Sequence, residues 1–202
     1  MSGALLLAAE GLACIRGDRL LWRGISLSLA PGDAVMLTGA NGIGKSSLIR
    51  ILGGLLPPAA GTVARHARTA MVDERHALDA HLPLGQALGQ WAAIDGTGMA
   101  GVHTAMDRLG IAHLADVPPR YFSTGQKKRA ALARLIASDA PLWLLDEPAN
   151  GLDRDGVALT EALIAAHRAA GGAVVCASHL PLTLGEAQTI DMAAHRPSET
   201  VS

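Results

Sequence analysis

Residues 36–48 read MLTGANGIGKSSL: an apolar strand, a glycine-rich loop and the opening of a helix. Glycines at 39, 42 and 44 permit backbone conformations in which successive N–H groups converge, and the helix behind them presents its positive dipole end. The spacing G-x-x-x-x-G-K-S from Gly39 to Ser46 is that of a loop that cradles nucleotide phosphates. Gly39, Ala40, Asn41, Gly42, Ile43 and Gly44 would wrap the phosphates, and Lys45 would reach the β and γ groups. The Ser46 hydroxyl would ligate Mg²⁺, and Ser47 would reach the α-phosphate or support the packing of the helix.

Upstream, LLLAAEGLACI and ISLSLAPGDAVMLTG read as β-rich segments on either side of a turn at Gly17-Asp18, with Pro31-Gly32 marking the turn before the strand AVMLT. The run near the start has no basic region before it and meets Glu10 early, so it reads as a first strand rather than a signal peptide. Downstream, a helix from Lys45 to about Leu52 ends at Gly53-Gly54, and strands are expected at GTVARHA and TAMVD. Residues 83–117 read as helical with glycine-rich interruptions, and with the helix GQKKRAALARLIAS they form an expected small helical subdomain over about 83–138. PLWLLDEP and GAVVCAS read as buried strands around the helix DRDGVALTEALIAAHRAAG. This alternation predicts an α/β fold, a mostly parallel sheet with helices on both faces, as a single domain. From His195 onward there is no periodicity, and the tail is expected to fray.

The 202 residues, half of them apolar, suffice for a substantial core. A formal net charge of −1 argues against a nucleic-acid backbone as the main partner. Two distant cysteines, Cys14 and Cys176, supply neither a disulfide framework nor a CxxC metal site. No apolar run approaches the roughly 18 to 20 residues of a spanning helix, so any membrane span would come from another chain.

Two acidic residues close the apolar strand LWLLDEP, at the edge where open α/β sheets bind ligands. Beside a phosphate loop, Asp146 is placed to hold Mg²⁺ and Glu147 to act as general base toward water. Between loop and acids lies FSTGQ (122–126), a polar turn opening a helix, where Ser123 and Gly125 would offer a second anion site. Beyond them come NGLD (150–153) and ASH (177–179).

Taken in this order, the five motifs resemble the ATP-binding cassette (ABC) ATPases over nearly the whole chain. The resemblance implies an ABC-type P-loop NTPase that binds ATP with Mg²⁺, using Lys45, Glu147 and His179 in catalysis. His179 matches the switch histidine that contacts the γ-phosphate. In that family two cassettes stack head to tail, so Ser123, Gly125 and Gln126 would complete the ATP site of a second copy, most simply in a homodimer. Asp153 matches the acidic residue through which the two sites sense each other, while its place before a helical pattern equally suits an N-cap. Phe122 and Thr124 depart from the usual L-S-G-G-Q. Arg16 stands where an aromatic residue usually stacks on adenine; an arginine plane can also stack there, and a solvated strand residue is the alternative. The glutamine expected after TAMV is replaced by DERH, with Arg75 in its place and Glu74 beside it.

The short chain, LTGANGIGKSSLIRILGGLLPPAAGTV, FSTGQKKRAALARL and PLWLLDEPANGLD further resemble the ATP-binding subunits of the haem exporter of cytochrome c maturation. That likeness implies a peripheral protein on the cytoplasmic side of a bacterial inner membrane, docked on an integral permease subunit. It also implies a link to other cytochrome c maturation proteins, with ATP hydrolysis driving delivery of haem to a periplasmic chaperone. An ATPase of another ABC exporter is the alternative within the class. A soluble ABC ATPase acting on nucleic acid or ribosomes is the alternative outside it.

Overall fold

A computed structural model describes residues 4–73 and 77–197. The substituted glutamine position, with Arg75 and Glu74, lies outside the described residues. Strands β1 (Leu7–Arg16) and β2 (Arg19–Leu29) form an antiparallel hairpin that turns at Gly17, whose φ of 58° lies in the left-handed region. β2 begins at Arg19 rather than at the predicted Ile25, because the LLWRG stretch continues the pairing with Cys14 opposite Trp22. Strand β3 (Ala34–Thr38) then delivers the chain into the glycine loop and helix α1 (Lys45–Leu52).

Strand β4 (Ala60–Arg65) returns to the free side of β1, giving a three-stranded antiparallel sheet in the order β2-β1-β4. After β5 (Thr69–Val72) come helices α2 (Leu84–Asp95), α3 (Met99–Arg108) and α4 (Thr124–Ala137), which pack on one another. Strand β6 (Leu142–Asp146), helix α5 (Arg154–Ala169), strand β7 (Ala173–Ala177) and a short β8 (Gln188–Asp191) complete the fold. The second sheet has the order β5-β6-β7-β3-β8, and every neighbouring pair in it is parallel.

β6 and β7 are buried along their whole length, so alternate residues feed two separate cores. Leu142, Leu144, Ala173 and Val175 face α1 and the antiparallel sheet, joining Leu48, Ile51, Leu12 and Trp22. Trp143, Leu145, Val174 and Cys176 enter the other core, with side chains from α2, α3, α4 and α5. Helices lie on both faces as expected, and among the described residues α1 shares its layer with the antiparallel sheet. That sheet is built from segments whose apolar alternation leaves one side to pack and one to face water.

β8 had no sequence signal, since only Ile190 of its four residues is buried and no period can be read from one apolar position. His195 belongs to a 3₁₀ turn, Met192–His195, in which the Asp191 carboxylate accepts from the Ala193 N–H, so the expected fraying does not begin there; the tail from 198 on lies outside the described residues.

Candidate nucleotide site and the motifs around it

The loop from Gly39 to Gly44 owes its path to glycine at two points. Gly44 has a φ of 106°, and a Cβ there would stand 2.6 Å from the Trp22 Nε1. Trp22 in turn donates from Nε1 to the Gly44 carbonyl at 3.4 Å, so the antiparallel sheet braces the loop from behind. Gly39, with a φ of 133°, fits between Ile43 and Met192. Ala40 and Asn41 are exposed at the tip and Ile43 is buried beneath it.

Lys45 is buried and folds back over the loop, donating to the Gly39 carbonyl at 2.7 Å and to that of Ala40 at 3.4 Å. Its ammonium is thus held at the loop by neutral acceptors that an arriving phosphate oxygen can replace. Ser47 hydrogen-bonds the thiol of Cys14, which fastens the first turn of α1 to β1. Burial, the larger effect, nevertheless raises the Cys14 pKa.

Asp146 is buried at the end of β6 and hydrogen-bonded to Ser46. Burial raises its carboxyl pKa first, with the charges of Glu147 and Asp73 adding to the rise, while the Ser46 bond and Arg50 act against it. An ionised carboxylate and a hydroxyl side by side in an apolar setting are hard oxygen donors short of positive charge, and this set fits Mg²⁺.

The next residue, Glu147, has a φ of 51°. Its N–H donates to the Ala177 carbonyl at 2.8 Å, and its Oε2 accepts from the His179 N–H at 3.2 Å. The same oxygen lies 2.7 Å from His179 Nδ1. An ionised carboxylate only accepts, so in this pairing Nδ1 carries the hydrogen. Beneath them the Cys176 thiol is pushed up to about 12, by burial and then by the Glu147 and Asp146 charges, which keeps it protonated and inert.

The structure brings Gly39, Lys45, Ser46, Asp146, Glu147 and His179 to the carboxyl edge of the parallel sheet. The FSTGQ turn, the signature turn of the resemblance, opens α4. Ser123 caps α4 in a reciprocal box: its Oγ accepts from the Gln126 N–H at 3.3 Å, and Gln126 Oε1 accepts from the Ser123 N–H at 2.9 Å. Among the described residues no hydrogen bond joins Ser123, Gly125 or Gln126 to the phosphate loop. Asp153 caps α5, accepting from the Gly156 N–H at 2.8 Å. Gly151, with a φ of 79°, packs on Thr124, where a Cβ would stand 2.8 Å from Cγ2. Thr124 is therefore the point at which the signature turn packs on the NGLD loop. Arg16 is exposed at the hairpin tip, opposite Arg19.

Sequence reasoning missed Lys128, which is buried and donates from Nζ to the Glu147 carbonyl at 2.9 Å. The available signal was periodicity, because Lys128 opens the buried stripe continued by Ala131, Leu132 and Leu135. It also missed Arg50 beside Asp73, a 3.5 Å ion pair linking α1 to the end of β5.

Comparison with known proteins agrees with this geometry. The ABC transporter family matches residues 22–150, which defines the class. The ATP-binding subunit of an ABC transporter superposes with a TM-score of 0.80, at 22% identity over 87% of this chain and 80% of that one. An ATP-binding protein from Pyrococcus furiosus gives 0.82, at 18% identity over 95% and 99%. These two show the fold. The cytochrome c biogenesis ATP-binding export protein CcmA of Sphingopyxis alaskensis is 53% identical over 93% of this chain and 97% of its own length. That of Novosphingobium aromaticivorans is 55% identical over 95% and 97%. The chain belongs to the ABC transporter ATP-binding proteins and, within them, to the cytochrome c biogenesis ATP-binding export proteins. It is the ATP-hydrolysing subunit of an ABC transporter, of a kind that dimerises and works with membrane permease subunits. Among the described residues no helix is long and apolar enough to cross a membrane.

Proposed function

We propose that two copies of this subunit pair head to tail, each holding Mg-ATP on its own Gly39–Ser47 loop beneath the other's Ser123 and Gly125. The pair docks on an integral permease at the cytoplasmic face of the inner membrane. There hydrolysis drives haem export, or release of haem to its chaperone, during cytochrome c maturation. The observation that carries the hydrolytic part is the Glu147–His179 pair, 2.7 Å apart beside Asp146 and the phosphate loop. The close relatives' printed role in cytochrome c biogenesis export supports the biological part.

Each residue has a physical task. Lys45 exchanges its carbonyl partners for phosphate oxygens, and Ser46 with Asp146 holds Mg²⁺, which when bound offsets phosphate charge. Glu147 takes a proton from the attacking water while His179, through Nδ1, keeps the carboxylate oriented. The Ser123 hydroxyl can donate to a γ-phosphate while its other side caps α4, and the dipole of α4 adds to the attraction. Nucleotide in both sites favours the closed pair. Loss of phosphate removes that differential affinity, and the copies part.

Mixed dimers test the composite site. Ser123→Arg placed on the subunit that carries Lys45→Ala should abolish hydrolysis at the intact loop opposite; placed on the subunit with the intact loop, it should be tolerated. Equal activity in both arrangements would exclude composite sites. Affinity purification from the native membrane tests the biological role: an integral subunit together with cytochrome c maturation proteins and haem is the expected recovery. A different permease would reassign the substrate, and ribosomes or DNA would overturn the membrane reading.

A further inference from the structure

The run Lys127-Lys128-Arg129 follows the signature turn directly and has the composition of a solvated helix face. Lys128 breaks that pattern, being only 4% exposed. A lysine gives up its hydration only where its ammonium finds fixed acceptors, and one of them is the Glu147 carbonyl, 2.9 Å from Nζ. That peptide belongs to a residue in the left-handed region, with a φ of 51°, a conformation that costs a non-glycine residue energy and persists only where its surroundings hold it. The Glu147 N–H is tied to β7 through Ala177, and its carboxylate is tied to His179. The carbonyl is also met by the Asn150 N–H at 3.3 Å, so two donors converge on the strained peptide.

We propose that Lys128 is a positioning residue for hydrolysis: from the signature helix it holds the strained peptide of Glu147, and so aims that subunit's own carboxylate at water. The inference rests on the reading of Glu147 as general base. Its distinctive feature is polarity within the dimer. Ser123 and Lys128 lie on the same helix, yet Ser123 faces the nucleotide of the second copy whereas Lys128 serves the hydrolytic site of its own chain.

The experiment uses the full-length protein. Lys128→Met keeps the length and apolar stem of the side chain and removes the donor. It should lower kcat about tenfold or more, the scale of one charged hydrogen bond, with KM and the ATP dissociation constant changed less than about twofold. Lys128→Arg, which can still donate, should recover most of the rate. In mixed dimers with one Lys45→Ala subunit, Lys128→Met should act only in cis, on the chain with the working loop. An unchanged kcat, or equal losses in cis and in trans, would overturn the proposal, since damage to the signature turn acts in trans. If the apolar variant fails to fold, Lys128→Gln carries the same cis and trans comparison. Glu147→Gln, assayed alone, separates the two ideas: parent-level hydrolysis there refutes the general base, whatever Lys128 does.

Discussion

At the scale of single residues, the adjacent acids Asp146 and Glu147 stand in different environments. Glu147 is held beside a histidine at the site's edge, so Glu147→Gln should keep ATP binding and lower kcat by about a hundredfold or more, the range of general-base removal. Single-turnover hydrolysis with a parallel binding isotherm would show both. Asp146 lies in the apolar end of β6, and its raised pKa means that ionisation opposes folding progressively as pH climbs from the ordinary 3.8 to the folded value, with the full cost present above it. Asp146→Asn should therefore raise the melting temperature of nucleotide-free protein at pH 7 and abolish hydrolysis. A variant that melts lower in metal-free buffer would refute this account of its burial. Lys45, Asp146 and Glu147 could be found in sequence because glycine spacing and a strand with an acidic end are local patterns. The φ of Glu147 and the reach of Lys128 could not, since both depend on chain segments far apart in sequence.

At the scale of elements, two helix starts combine an observed cap with a proposed interface role. Ser123 and Asp153 each satisfy N–H groups at the head of a helix, and both stand in motifs that the resemblance assigns to a nucleotide interface. The two roles of Asp153 separate experimentally, because asparagine caps about as well as aspartate and alanine does not. Asp153→Ala should cost about 1 kcal/mol of stability. Asp153→Asn should melt like the parent, and any loss of hydrolysis in it belongs to charge at the interface. Strand β3 and helix α1 depend on Gly44 between them, so Gly44→Ala should strain the left-handed turn and force Trp22 away. Loss of nucleotide binding with a lowered melting point is the expected result, read by equilibrium binding and calorimetry. The helices were legible from a hydrophobic period, and the central strands β6 and β7 from unbroken apolar runs. β8 was not, because one buried residue is no period.

At the scale of the whole molecule, two cores share one parallel sheet, and the end of that sheet away from the nucleotide site is closed by a ring pair. His167 stacks on Trp143 at 3.7 Å with an interplanar angle of 5°, and burial lowers its pKa despite backbone bonds and Asp139 pulling the other way. Below its ordinary value of 6.5 the unfolded chain then binds the proton more readily than the folded one. Stability should be full above that pH and decline as pH falls toward the folded value. His167→Phe, which keeps a ring over Trp143, should flatten the difference between melting temperatures at pH 7 and pH 5.5. The division into a nucleotide edge and helical layer could be expected from motif order, but the antiparallel sheet on one face had to be seen, because β1 pairs both with its neighbour β2 and with β4, which returns to it from beyond β3 and α1. The three tryptophans fall in different parts of this plan: Trp22 against the phosphate loop, Trp91 under the Arg134 guanidinium at 4.0 Å, and Trp143 over His167. The protein thus carries three intrinsic optical probes, one at its phosphate loop, one among its helices and one at the far rim. Variants retaining a single indole can report on each of these three places by emission alone, without any attached dye.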